Sequence, residues 1–473
     1  MLKKLKFNVL QKSIFLFLGF CLMLVACKPE KYFTGKTQLQ FLDDTIWFDT
    51  IFTKKPGSTY PISVTRITAV KNNEKSIVTA NFQLKGGKSS PYKINVNGMA
   101  GPNIENIEIL PGDSVFVFIQ CKLEPNNQLN PMLVLDSLIS NVNGAESKLL
   151  LAAYGWDATY LKRPIITTNT TWDIADKPYV VLDTLYIAEG ATLTIKPGVE
   201  IYASARTPFY IAGAIDIQGE PNNRVSIRGD KPTYYPSVIP NQWTGIHFLK
   251  GYQNGKISYT DITNAAIGIR VDSLASTAGG GVQLHNTKIQ YCGQACLIGI
   301  SAHVTATNCL FADAGSYAFL GFLGGNYSFM HCTFAEYSGF SSRQNGLFGF
   351  TNTQRDGLGN LINYRPLELT VFNSIIYGYN SEEIDYDKTT NTTFQLDFRN
   401  NFIRSKNPNS ILGNGNTLNK DPKFKSTADN NYQIDTLSPV IGKGIILGSP
   451  VTDDLLGKIR KSNPDIGCYE RIP

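Results

Sequence analysis

The sequence predicts an all-β chain in two parts, a β-sandwich followed by a parallel β-helix. Three observations carry that expectation. Short runs rich in Val, Ile, Thr, Tyr and Phe are separated by Gly and Asn-Gly turns, and few stretches show helical period. Between residues 38 and 157, seven such runs follow one another at sandwich spacing. From Val180 onwards, alternating runs recur at the length of one solenoid coil. A chain of 473 residues is also too long for a single core, so more than one domain is expected.

Residues 1–26 read as an export signal. Lys3, Lys4, Lys6 and Lys12 give a basic start with no acid before Cys27. The apolar run from Ile14 to Val25 has signal-peptide length and is too short for a comfortable transmembrane helix. It ends in Leu24-Val25-Ala26-Cys27, which resembles a bacterial lipobox. The resemblance implies cleavage before Cys27 and diacylglycerol on its thiol. Several acyl chains anchor stably, because each buried methylene adds about 0.8 kcal/mol. The alternative is an ordinary signal peptide with a chance cysteine; charge, length, box and a polar follower favour the lipoprotein. Residues 27–37 then form a lipidated tether, and the membrane is the first expected partner. Lys28 is not the Asp that marks inner-membrane retention in the enteric sorting rule, so placement at the outer membrane is expected.

Removing the four leader lysines from the 44 basic residues leaves 40 against 38 acidic ones, a net charge of +2. No basic block remains, and nucleic acid is excluded as a partner.

Residues 38–157 read as the sandwich. Its expected strands are 62–69, 76–84, 92–96, 104–110, 114–122, 133–141 and 148–154. Gly86-Gly87, Asn97-Gly98, Pro111-Gly112-Asp113 and Asn143-Gly144 separate them. Seven short strands fit an immunoglobulin-like sandwich. The segment Ser90 to Gly98, taken with Pro111 to Val117, resembles the N-terminal Ig-like module of many Bacteroidetes surface lipoproteins.

Residues 158–425 read as the solenoid. Leu185 to Val199 and Ile211 to Gly219 are its opening coils. Five later segments align on a polar residue, at Asp261, Asn286, Asn308, His331 and Asn373. The steps are 25, 22, 23 and 42 residues. The first three are single coils, and the last is two coils or one coil with a loop, expected at Ser341 to Pro366. Coils stack at about 4.8 Å, so these five residues should form a structural ladder at a bend. Cys309 and Cys332 share the next ladder position, where a disulfide and two thiols are equally consistent. Cys292 and Cys296 have no completing zinc ligands and read as structural. Both ends of such a solenoid need caps, and the sandwich is expected to cover one.

Residues 426–473 are expected to form the other cap. The order Asp421-Pro422-Lys423-Phe424, Asn431 to Ile434, Leu437 to Ile441, Gly457 to Arg460 and Pro464-Asp465-Ile466-Gly467-Cys468-Tyr469-Glu470 resembles the tail of the choice-of-anchor Q group. That group belongs to the pectin lyase-like superfamily, and the resemblance implies a single-stranded right-handed parallel β-helix. Cys468 stands where the group has a small residue, and Gly442-Lys443-Gly444 departs from its more acidic version.

The superfamily includes lyases, hydrolases and epimerases of polysaccharides beside non-enzymatic proteins, so the fold does not choose an activity. Glycoside hydrolysis needs two positioned carboxyls. The coils offer Asp261, Asp272, Asp313 and Glu336, with none paired within a repeat. Asp385 and Asp387 share a face if extended and could hold a hard cation, although a solvated loop explains them as well. His247, His285, His303 and His331 read as structural. Exposed aromatics suit sugar rings, and Tyr234, Tyr235, Tyr337, Phe340, Tyr364, Tyr377 and Tyr379 lie in or beside expected loops. The expected ligand-facing element is the 341–366 insertion with Arg343, Asn345, Arg355 and Tyr364, flanked by Tyr377 and Tyr379. No catalytic residue and no cofactor is assigned. Asp-Ser/Thr-aliphatic triplets, as at Asp136-Ser137-Leu138 and Asp272-Ser273-Leu274, resemble the O-glycosylation site of Bacteroidetes exported proteins and equally mark turns entering strands. The residues thus support a non-catalytic envelope lipoprotein with polysaccharide as a candidate partner. The alternative is a polysaccharide lyase or glycoside hydrolase with a divergent site on the coils.

Overall fold

The computed structural model describes residues 31–53, 65–125, 131–174, 177–230, 238–339, 343–406, 415–446 and 451–471. Cys27, Tyr234, Tyr235 and Phe340 lie outside them. The chain is all-β and divides into two compact units, Met1–Trp156 and Asp157–Pro473.

The first unit is a sandwich of two five-stranded sheets. Its strands are β1 Gln40–Phe41, β2 Thr45–Phe52, β3 Thr65–Lys71, β4 Val78–Leu84, β5 Tyr92–Val96, β6 Met99–Ala100, β7 Asn103–Ile109, β8 Ser114–Cys121, β9 Met132–Val142 and β10 Ala145–Trp156. One sheet runs β1-β3-β8-β5-β6 and the other β2-β10-β9-β4-β7. Alternation explains the facing: Val115, Val117, Ile119 and Cys121 point inward from β8, while Phe116 and Phe118 point out. Asn97-Gly98 and Asn143-Gly144 both take positive φ, as tight hairpin turns demand. Strand β2 was not expected from the sequence. It joins β10 in parallel, with a register shift at Ala153/Tyr154, and that bulge breaks the simple alternation. Ser137, in one of the Asp-Ser/Thr-aliphatic triplets, is buried in β9.

The second unit is a parallel β-helix with three faces. The first face is an eleven-stranded parallel sheet from Thr159–Lys162 to Thr417–Leu418. The second and third faces are parallel ladders fused into one sixteen-stranded sheet. Two long strands, Ala295–Thr307 and Tyr317–Met330, bend from one face to the next and cause that fusion. Each inward position is a ladder of apolar residues. On the first face, Ile201, Ile227, Ile262, Ile289, Phe311, Phe334, Ile376 and Ile403 stack in register. Phe311 and Phe334 lie nearly parallel, 4.9 Å between centroids. This dry column of Ile and Phe is the core.

The 42-residue step is one coil, because Thr333–Glu336 pairs directly with Ile375–Gly378. Its extra length is split around a coil strand, Phe348–Thr351. The later part is a hairpin of Thr353–Arg355 and Leu361–Tyr364. Ser341–Pro366 is therefore not a single loop.

Close stacking restricts corners. Gly245 has φ +121°, and an added Cβ would sit 1.6 Å from the Ile267 carbonyl oxygen on the next coil. Gly245→Ala is expected to cost about 2 kcal/mol or more, read by urea unfolding; an unchanged midpoint would contradict this packing.

Candidate functional site

The bend between the third and first faces is lined by Tyr259, Asn286, Asn308, His331, Asn373 and Asn400, all at positive φ. Asn tolerates that conformation, which explains its recurrence. Asn308 Nδ2 donates to Asn286 Oδ1 at 3.0 Å, and Asn400 Nδ2 donates to Asn373 Oδ1 at 2.8 Å. Asn373 Nδ2 donates to His331 Nε2 at 3.0 Å. Burial and then the Arg460 charge push the His331 imidazole down to about 3, so it is neutral and Nε2 can accept. Asp261 is not on this ladder. Register places it beside Ser226 and Lys288, within a strand, where it takes two hydrogen bonds from Arg224. Tyr259 holds the ladder position in that coil, and an aromatic there hid the register from polar-residue alignment.

The C-terminal segment is not an end cap. It runs along the flank of the helix, over the outward side of the first face. Tyr432, Leu455, Cys468 and Tyr469 bury Leu310, Ala312 and Ala335. Ile434, Val440 and Ile466 bury Ile375, Tyr377 and Phe402. Apolar residues on both sides of those strands, as in the fully buried Leu310–Ala314, require such a cover. The same strap satisfies the ladder. Asn286 Nδ2 donates to the Asp454 carbonyl at 2.7 Å, Arg460 Nη2 to Asn308 Oδ1 at 2.7 Å, and Asn373 Nδ2 to the Ile445 carbonyl at 2.7 Å.

The residues expected to face a ligand are mostly committed inside the protein. Arg343 and Glu383 form a buried two-pronged ion pair at 3.0 and 3.2 Å. Asn345 Nδ2 donates to the Ser316 carbonyl. Tyr377 is buried, with the Arg404 guanidinium 5.3 Å from its ring centroid. Arg355 clasps Asp387 through Nε at 2.6 Å and Nη2 at 3.0 Å. That hydrogen bond holds the Asp387 carboxyl below its ordinary range. Asp385 and Asp387 do share an outward face. Asp385 accepts from the Tyr317 hydroxyl at 3.0 Å, and the charge Asp387 would offer a cation is already met by Arg355. Tyr364 and Tyr379 remain exposed, Tyr379 edge-on to Tyr337 at 5.0 Å.

Two acids do pair on consecutive coils. Ala312 is in register with Ala335, which sets Asp313 beside Glu336. Both are buried beneath the strap, where the Tyr432 hydroxyl and Gln290 Nε2 donate to Asp313. Burial raises the Asp313 carboxyl to about 7 and raises Glu336 as well. The pair is enclosed in the covered state, Asp313 wholly and Glu336 all but 7%.

The open cluster lies elsewhere, on the second face. Tyr186, Tyr210, His247, Arg270 and Ile298 form one outward ladder over five coils. Asp272 projects two residues beyond Arg270. His247 Nε2 lies 2.5 Å from Asp272 Oδ2, and Arg270 Nε donates to Asp272 Oδ1 at 2.7 Å. Burial raises the Asp272 carboxyl, but the hydrogen bonds from Arg270 and His247 outweigh it and hold the group low. Tyr210 packs against the His247 ring at 5.5 Å. Among the described residues, Tyr210 Oη, His247 Nδ1 and both terminal nitrogens of Arg270 have no hydrogen-bond partner. Sequence reading missed this site because its members are 23 to 37 residues apart and only register joins them. Along the face, Glu189 lies at the corner three coils back, roughly 14 Å, and Asp385 and Asp387 lie four coils on, roughly 19 Å. Glycosidase carboxyls sit about 5–9.5 Å apart, and among the described residues register brings no second carboxylate of this face within that range of Asp272.

No protein-family model matches the chain, and no curated protein does. Solved structures give short, distant likenesses. A family 123 glycoside hydrolase from Clostridium perfringens aligns at 13% identity over 28% of this chain and 26% of its own, TM-score 0.18. The chain thus spans about a quarter of that enzyme's length. A PapD-like domain of human CEP192 aligns at 11% identity over 28% of this chain and 94% of its own, TM-score 0.17. The CooA pilin subunit of enterotoxigenic Escherichia coli aligns at 11% identity over 25% of this chain and 96% of its own, TM-score 0.18.

Proposed function

We propose that the chain is a cell-envelope lipoprotein of Bacteroidetes type, anchored through Cys27, that binds glycans without cleaving them. In this reading its β-helix is of the pectin lyase-like kind and its placement is at the outer membrane. The observation that carries the proposal is the open Tyr210–His247–Arg270 ladder. It offers an aromatic ring, an imidazole nitrogen and two guanidinium nitrogens on consecutive coils, and no second carboxylate accompanies Asp272. Five coils span roughly 19 Å between first and last, a length that suits an oligosaccharide lying along the helix axis.

Affinity electrophoresis against neutral and acidic polysaccharides tests the reading. Retention by at least one glycan is expected, with binding weakened about tenfold or more in Arg270→Ala, a loss of roughly 1.4 kcal/mol. No retention by any glycan would instead describe a purely structural spacer and sink the proposal. One observation favours a second reading. Asp272 orients His247 through Nε2 and leaves Nδ1 free, the arrangement a general base needs. A lyase using His247 would release unsaturated products from the same polysaccharides, and their appearance would replace the non-catalytic reading.

A further inference from the structure

The open ladder of the second face changes character just beyond Arg270. Gly299 and Gly321 point to the interior, where an added Cβ would lie 2.5 and 3.0 Å from the Tyr327 ring. Alternation therefore turns Ile298, Ile300, Leu320 and Phe322 outward, and each is partly exposed. Register puts Ile298 and Leu320 on the line of Tyr210, His247 and Arg270. Asp272, Ile300 and Phe322 form a second line, because each follows the Val271–Gly299–Gly321 ladder by one residue. Polar and apolar parts thus share the same two lines without a break.

The apolar strip is bounded on its far side too. On the next coil the Gly349 position is roofed by the Tyr317 ring and Leu320 Cδ1, 2.7 and 3.0 Å from where a Cβ would stand. The Tyr317 hydroxyl reaches Asp385 one coil further on. From Arg270 to the Gly349 position is three coil steps, roughly 14 Å.

We infer that the ligand of this face is an acylated glycan, its sugar held by Tyr210, His247 and Arg270 and its aliphatic chain laid over Ile298, Ile300, Leu320 and Phe322. The inference rests on the glycan-binding reading above and adds the chemistry of the ligand. A bare polysaccharide running past Arg270 would press its hydroxyls onto four side chains that offer no donor or acceptor. Each such hydroxyl would lose water without a replacement. Sugar rings stack on aromatic faces, and of the four only Phe322 has one. An aliphatic chain gains from the same surface, since moving each methylene out of water onto apolar side chains is favourable. A peptide strand finds no sheet edge here, because both strands are paired on each side.

Titration calorimetry with paired methyl and octyl glycosides of glucose, galactose, mannose and glucuronic acid, all below the micellar concentration, tests the inference. At least one octyl glycoside is expected to bind about tenfold or more tighter than its methyl partner. Leu320→Asn/Phe322→Asn should remove that advantage. Ile300→Thr, which keeps a β-branched side chain suited to a strand, should reduce it while melting near the parent. Arg270→Ala should weaken the octyl and methyl forms alike. Equal affinity for the two forms would overturn the acyl site and leave the glycan reading standing. An octyl advantage that survives in the double variant would overturn it in the same way. Binding of neither form would also overturn it, while retention in affinity electrophoresis judges the glycan reading separately.

Discussion

Replacing Arg460 with methionine is expected to destabilise the β-helix unit by about 3–5 kcal/mol and to free the C-terminal strap. Arg460 is the pin of that strap. Its Nη1 donates to Glu470 Oε2 and to the Asp465 carbonyl, both at 3.2 Å. Its Nη2 donates to Asn308 Oδ1 at 2.7 Å and the Gly467 carbonyl at 3.0 Å, and its Nε to the Asp453 carbonyl at 2.9 Å. The ion pair is almost wholly enclosed, with side chains 1% and 0% exposed. Methionine fills the volume but leaves the buried Glu470 carboxylate with only the half-exposed Lys461 ammonium, 3.7 Å away, as counter-charge, and that desolvation is the main cost. Removing the charge as well, in Arg460→Met/Glu470→Leu, should recover much of the loss. Urea unfolding reads the stability, and limited proteolysis reads release of the segment after Asp421. Equal midpoints for parent and Arg460→Met would show that the strap is held by apolar contacts alone.

That strap also marks where sequence reading succeeds and where it stops. Inward positions were legible, because a ladder of Ile and Phe at one-coil spacing has only one way to be buried. Turn chemistry was legible for the same reason: Asn97-Gly98 and Asn143-Gly144 need positive φ and take it. The C-terminal segment was legible as a cover and not as to what it covers. Ala312, Ala335 and Ile375 are outward residues of solenoid strands, yet apolar, and only a second layer explains them. Read with that physics, their composition points to a flank and not to an end.

The candidate site was less legible. Arg343 and Asn345 have the residue types of a binding loop, but Glu383, some forty residues on, absorbs the guanidinium. Nothing in spacing reports that a charge is already paired. Conversely, Tyr210, His247 and Arg270 sit in separate coils of unequal length, and their union depends on register through Phe209, Ile246 and Ile269. Asp261 shows the same limit, since one misplaced coil moved it onto a ladder that Tyr259 occupies.

Two buried groups should impose opposing pH slopes on stability, each laid bare when the other is removed. Asp313, raised by burial to about 7, is protonated in the folded chain while its unfolded counterpart ionises near 3.8. The folded state therefore holds more protons between those values, and stability is full below about 4 and is lost as pH rises towards 7. Glu336, also raised by burial, adds to that fall. His331 works the other way. Burial, then the Arg460 charge, lower it to about 3 from 6.5, so the unfolded state binds the extra proton and stability rises with pH across that window. Each group contributes at most about 1.4 kcal/mol per pH unit. Between pH 4.5 and 6.5 the Asp313 and His331 slopes oppose each other in the parent. Asp313→Asn should leave the His331 slope dominant, so unfolding midpoints climb with pH over that range. His331→Asn, which suits the positive φ held by Asn at neighbouring ladder positions, should leave the opposite slope, with midpoints falling up to about pH 7. Tyr291, Tyr432 and Cys296 face the acids but titrate well above this window, so they do not blur it. Urea midpoints for the three proteins at half-unit pH steps decide the matter. Slopes of the same sign in both variants would mean that Asp313 and His331 do not carry opposing linkage, and would overturn this account.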